Sequence, residues 1–189
     1  MIYYIRHGQT DYNVKNLFAG HQDVPLNKEG FKQARKTAEE LKDIKFDVCY
    51  CSPLIRAKQT CDEILKFHKG LKPIYDDRLK ERFYGDMENK PVKDLNFNHW
   101  KLIDFGEQTK DLRIETLSDC YKRISGFFEE ILSKYDNKNI LVVAHGCIGR
   151  IALAYFNGFP SDNDLSSIRI PNAGVVVFDK PIKQKTNFN

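Results

Sequence analysis

This sequence has no long apolar run, no repeat and no low-complexity tract, and its five cysteines are an odd number. Without a stretch approaching the ~20 apolar residues that span a bilayer, a membrane protein is not expected. The opening MIYYIRHG turns charged at Arg6, too early for a secretory apolar core, so a cytoplasmic location is the expectation. Cys49, Cys51, Cys61, Cys120 and Cys147 sit in apolar segments, which speaks for reduced, buried thiols and against a disulfide framework. A lone C-x-C pair without a second pair is poor evidence for zinc. Strong charge is missing too: the net charge of +4 is ordinary for proteins that bind no nucleic acid.

What is present is one domain's worth of chain, 189 residues of which 41% are apolar. A single domain over residues 1–180 and a frayed tail over 181–189 are expected. Short β-rich runs alternate with longer segments of helical period, the pattern of βα units around a mostly parallel sheet. The runs Ile2 to Ile5, Phe46 to Cys51, Ile140 to Ala144 and Val175 to Phe178 are predicted strands. Asn27 can cap a helix whose Phe31, Ala34, Ala38 and Leu41 share a face. Ser52-Pro53 reads as another helix opening, with Leu54, Ala57, Cys61, Ile64 and Leu65 inward. Thr116 with Asp119 resembles a capping box ahead of Leu117, Tyr121, Ile124, Phe128, Ile131 and Leu132. Residues 86–115 lack clear periodicity and mix Phe97, His99, Trp100 and Phe105 with charges, Pro91 and Gly106; a lid insertion and a plain surface excursion both fit.

Two histidines occupy equivalent places, His7 after the first strand in IYYIRHG and His145 after another in NILVVAHG. Ligands bind beyond the carboxyl ends of parallel strands, so the two can meet in one crevice. Each precedes a glycine, Gly8 or Gly146, which lets a backbone approach a bound group closely. A helix from Cys147 onward would set a positive dipole end beside His145. Arg6 and Arg56, the latter one turn into a helix, add planar paired donors, and the combination suits a phosphate dianion. His21, His68 and His99 read as satisfied core or surface residues.

The motifs as a set resemble the histidine phosphatase superfamily, which includes phosphoglycerate mutases. RHGQT with Asn13 is similar to the family's opening signature, GHQDVPLNKEGFKQA and CSPLIRAKQT to its next two segments, and VVAHG to its second histidine motif. The resemblance covers most of the chain. It implies a phosphoglycerate mutase-like three-layer αβα sandwich, a phosphorylated nucleophile at His7, and phosphoryl oxygens bound by Arg6, Asn13, Arg56, His145 and Gly146. Glu81, in RLKERFYGDMEN, matches the family segment that supplies the acid for the leaving oxygen. Met87, Asn89 and Ile114-Glu115-Thr116 depart from the pattern, where substrate is selected rather than where chemistry occurs. The expected reaction is hydrolysis of a small phosphate ester with no metal or cofactor. A mutase and a non-catalytic phosphate-ester binder are the alternatives. A cysteine phosphatase is set aside because four residues, not five, separate Cys51 from Arg56. Neither nucleic acid nor membrane is an expected partner, and pairing of two copies into a homodimer stays open.

Overall fold

In the computed structural model, which describes residues 1–101, 107–179 and 181, five strands form one sheet in the order β3-β2-β4-β1-β5. The elements along the chain are β1 (Ile2–Arg6), α1 (Asp11–Lys15), α2 (Lys28–Leu41), β2 (Val48–Cys51), α3 (Ile55–Leu65), β3 (Pro73–Tyr75), α4 (Glu107–Asp111), α5 (Leu117–Lys134), β4 (Ile140–Ala144), α6 (Gly146–Asn157) and β5 (Val175–Phe178). Pairings β1-β4, β2-β4 and β2-β3 are parallel, and β5 closes one edge antiparallel to β1.

Strand β4, ILVVA, is buried at every residue because it lies mid-sheet with helices on both faces. Alternate side chains serve opposite layers. Ile5, Cys49, Cys51, Leu141 and Val143 pack with Ala38, Leu41, Ala57, Cys61 and Ile64 of α2 and α3. Tyr4, Tyr50 and Val142 face Ile124, Phe127, Phe128 and Ile151 of α5 and α6. The three-layer αβα arrangement follows, and among the described residues no helix is long and apolar enough to cross a membrane.

Several local readings need correction. The helix after β2 starts at Ile55, with Leu54 as N-cap, so Ser52 and Pro53 belong to the turn before it. Ser52 is thereby freed to bond His145. Strand β3 is a three-residue edge strand beginning at a proline, too short and too exposed to show a period. In α5 the buried face includes Cys120 and Phe127, whereas Tyr121 and Leu132 are only partly buried. Thr116 does cap it, accepting from the Asp119 N–H at 3.0 Å. Residues 86–115 are not a free excursion over their described part: Met87, Leu95 and Ile114 form a small core with Phe18 and Tyr84, against which Phe97 packs. Phe105 and Gly106 of that segment, and residues 182–189 of the expected tail, lie outside the described residues.

Candidate active site

The register of the sheet decides where the histidines go. Arg6 pairs with Ala144, so His7 and His145 stand one residue beyond the last paired positions of neighbouring strands, with ring centroids 5.1 Å apart. The third central strand contributes Ser52 from the same edge, its N–H bonded to the Val143 carbonyl at 2.9 Å.

The ring of His7 is buried, and its Nδ1 lies 2.7 Å from the Gly8 carbonyl. A carbonyl only accepts, so Nδ1 carries the proton and the neutral ring keeps its lone pair on Nε2. Desolvation by burial, followed by the positive charges of Arg56 and Arg6, holds the His7 pKa well below the usual imidazole range. The ring is neutral at pH 7, as an attacking nitrogen must be. The main chain of His7 is braced by the Pro171–Gly174 turn: Asn172 Nδ2 and the Ala173 N–H both donate to its carbonyl, at 3.2 and 3.1 Å.

Arg56, 1% exposed, donates from Nη1 to the Gln22 carbonyl and from Nη2 to the Gly20 carbonyl, both at 2.8 Å. That loop is itself anchored to α3, because Asp23 Oδ1 accepts from the Ile55 N–H at 2.6 Å, where the N-cap Leu54 has no side chain to offer. Arg6 donates from Nη1 to the Ile170 carbonyl at 2.7 Å. The Nε of each arginine is buried without a hydrogen-bond partner among the described residues. Burial pulls the Arg56 pKa down to about 10 and lowers that of Arg6. Two desolvated guanidiniums with spare donors beside a neutral imidazole form an anion site ahead of any ligand.

Asn13 enters through the N-terminus of α1. Thr10 caps the helix, and Asn13 Oδ1 accepts from the Thr10 N–H at 3.0 Å in a reciprocal capping box and from Asn172 Nδ2 at 3.1 Å. Its oxygen is used internally, which leaves the amide NH2 for a ligand. Glu81 accepts from the Arg82 N–H at 3.0 Å and from the Cys147 N–H at 3.2 Å. The first turn of α6 thus directs its dipole at a carboxylate. Arg6, His7, Asn13, Arg56, Glu81 and Gly146 all line one cavity of about 490 Å³.

Residues 2–185 match the model of the histidine phosphatase superfamily, branch 1. The chain belongs to that superfamily. It is 36% identical over 175 residues to a protein of Bacillus subtilis (strain 168) named uncharacterized phosphatase PhoE, across 89% of this chain and 82% of the relative. A 2,3-bisphosphoglycerate-dependent phosphoglycerate mutase of Mesorhizobium japonicum is 33% identical over 153 residues, 75% of this chain and 74% of the mutase. Among solved structures, the α-ribazole phosphatase of Shigella flexneri superimposes with a TM-score of 0.75 at 28% identity, covering 91% of this chain and 86% of that one. Membership makes the chain a phosphatase-class enzyme.

Within this histidine phosphatase the remaining expected residues are placed less simply. His145 is wholly buried and is not among the described residues that line the cavity; its Nε2 lies 2.7 Å from Ser52 Oγ, and its Nδ1 has no partner among the described residues. Desolvation, then Arg56, lowers its pKa well below the usual range. The two glycines have structural reasons that differ from close approach to a ligand alone. A Cβ on Gly8 would sit 2.4 Å from the Gly30 carbonyl oxygen, so the loop after β1 and the start of α2 meet backbone to backbone. A Cβ on Gly146 would stand 3.1 Å from Arg6 Nε, so this glycine makes room for the guanidinium.

His99 also departs from expectation. Its ring is buried on the cavity wall among Phe18, Tyr84 and Trp100, its Nε2 has no partner among the described residues, and burial lowers its pKa to about 4. His21 Nε2 lies 2.8 Å from the Glu81 carbonyl at the surface, and His68 packs on Phe46. Cys51 is fully buried, with burial raising its thiol pKa well above the usual value, and is not part of the cavity lining. None of Ser52, Asn172, Trp100, Arg150 and Arg169 reads as a site residue in the sequence, where Ser52 is a helix opening and Trp100 part of the aperiodic segment; only the strand-end position of Ser52 carried a signal.

Proposed function

We propose that this enzyme hydrolyses a small-molecule phosphate monoester through a phosphohistidine on His7. The observation that carries the reading is the Nδ1–H bond to the Gly8 carbonyl, which leaves Nε2 as the nucleophilic nitrogen between two desolvated arginines.

In the first half-reaction the Nε2 lone pair forms a bond to phosphorus while the bond from phosphorus to the ester oxygen breaks. Arg6, Arg56 and the Asn13 amide donate to the non-bridging oxygens, and the buried His145 ring, 5.1 Å from that of His7 and hydrogen-bonded to Ser52, backs the nucleophile. Preorganised donors of this kind are typically worth ~3 kcal/mol each to the transition state. Glu81, entering as the acid, gives its proton to the departing alkoxide. In the second half-reaction it takes a proton from water as that oxygen attacks phosphorus, the N–P bond breaks, and Nε2 regains its lone pair. Inorganic phosphate leaves and Glu81 is again protonated. A cytoplasmic setting suits five free, buried thiols.

The test is phosphate release from a panel of alkyl phosphates by wild type and His7→Ala, with and without excess chelator. The reading expects wild-type turnover that survives the chelator and a variant at least about 1000-fold slower. A His7→Ala protein that keeps a tenth of the wild-type rate would overturn it.

A further inference from the structure

Arg6 and Arg56 act on His7, yet two more arginines line the same cavity. Arg150, in the second turn of α6, donates from Nη1 to the carbonyls of Leu165 and Ser166, the latter at 3.0 Å. Its guanidinium lies 4.0 Å from the centroid of the Trp100 ring. Held by two carbonyls and an indole face, it is a preorganised donor rather than a waving side chain. Arg169 precedes Ile170, whose carbonyl accepts from Arg6, so its backbone is tied to the phosphoryl end. Arg169 is exposed and takes part in no ion pair among the described residues.

The charge balance is one-sided. Among the described residues lining the cavity, four are arginines and Glu81 is the single carboxylate. The groups that act on Arg150 include two cations, Arg169 and Arg6, alongside Cys147 and Tyr84. A phosphoryl dianion at His7 offsets Arg6 and Arg56 and leaves the other pair unmatched. At about 490 Å³ the cavity falls in the ~300–1000 Å³ range of sites that enclose a whole small ligand, so a substrate held at His7 has room to reach them.

We propose that Arg150 and Arg169 form a second anion subsite, and that the substrate is a short phosphate ester bearing a carboxylate or a second phosphate at the end remote from the scissile bond. The proposal rests on the reading of His7 as the phosphoryl end. Trp100 supplies an apolar surface in the same cavity, and the Arg150 guanidinium lies over its ring.

Two matched pairs of esters test it. Glycerol 3-phosphate differs from 3-phosphoglycerate by CH2OH against carboxylate, and fructose 1-phosphate differs from fructose 1,6-bisphosphate by hydroxyl against phosphate. Charge-assisted bonds to an arginine pair predict a kcat/KM about ten- to hundredfold higher for at least one charged member. The preferred pair tells carboxylate from phosphate. Arg169→Gln should erase most of that preference while changing the neutral esters less than about threefold. Arg150→Lys, which keeps the charge but loses the fork, should erase part of it. Inhibition constants against p-nitrophenyl phosphate hydrolysis supply the same comparison for an ester that binds without turnover. Equal kcat/KM and equal inhibition within both pairs, or an equal loss on all four esters in Arg169→Gln, would overturn the subsite. His7→Ala run beside them separates the two claims: activity that persists without His7 refutes the parent reading, whereas His7-dependent activity with no charge preference refutes the subsite alone.

Discussion

Three buried imidazoles make the protein sensitive to mild acid in a way that can be worked out. His7 and His145 are held neutral well below the usual range by desolvation, and His99 titrates at about 4. In the unfolded chain each binds a proton near pH ~6.5, so below that value the unfolded state holds more protons and acid favours unfolding. The stability they confer is complete above pH ~6.5 and is lost as the pH falls toward the depressed folded values. Between pH 8 and pH 5.5 His99, titrating at about 4, costs about RT ln 11, or roughly 1 kcal/mol, and His7 and His145, lowered in the same direction, add to that loss with the same sign. His68, lowered by partial burial, acts in the same direction. Paired carboxylates such as Glu115 and Asp76 are held below their usual range and contribute only at lower pH. Urea unfolding followed by far-UV circular dichroism, with m near ~2 kcal/mol per molar, should show a midpoint lower by at least ~0.5 M at pH 5.5. His7→Gln should recover part of that drop. A midpoint that moves by less than ~0.3 M would refute the neutral, buried state of these rings.

Replacing Glu81 by glutamine should cut kcat/KM ~100-fold to 10,000-fold for an alkyl phosphate and far less for p-nitrophenyl phosphate, whose phenolate leaves without a proton. Equal losses would show that Glu81 is not the acid. Glu88 and Glu115 are poor substitutes, since Glu81 lines the cavity beside His7 and neither of them is among the described residues that line it. Arg56→Lys cannot reach both the Gly20 and Gln22 carbonyls with a planar fork, and its kcat/KM should fall at least about tenfold; a value within twofold of wild type would count against the built anion site. Gly30→Ala would place a Cβ 2.0 Å from the Gln9 carbonyl oxygen and should cost ~1–3 kcal/mol, whereas Gly126→Ala, with open space around it in α5, should stabilise by ~0.5–1 kcal/mol. Melting temperatures that move in the same direction for both would contradict the packing at the start of α2.

The order of β and α segments and the meeting of His7 with His145 were legible because they depend on period and on position at strand ends. Register then did the rest, since a parallel pairing of Arg6 with Ala144 leaves the next residues side by side. Other parts depend on contacts far apart in the chain, which local patterns do not encode. Ser52 reads as a helix opening until the partner 93 residues away is known, and Asn172 braces a carbonyl 165 residues distant. His99 lies in a segment without a period, and only the ring packing of Phe18, Tyr84 and Trp100 reveals it as cavity wall. Arg150 sits on a helix face that faces Trp100, a residue outside the helical pattern. The glycines were visible, but the oxygen that Gly8 must clear belongs to Gly30, on a different element.

The most direct test of the whole account is to mix the enzyme with a ³²P-labelled alkyl phosphate, stop the reaction within milliseconds in alkali, and look for label on the protein. The account predicts alkali-stable, acid-labile phosphate on a peptide containing His7, and no label in His7→Ala. Wild-type turnover without any such labelled species, or a label that persists when His7 is replaced, would contradict it.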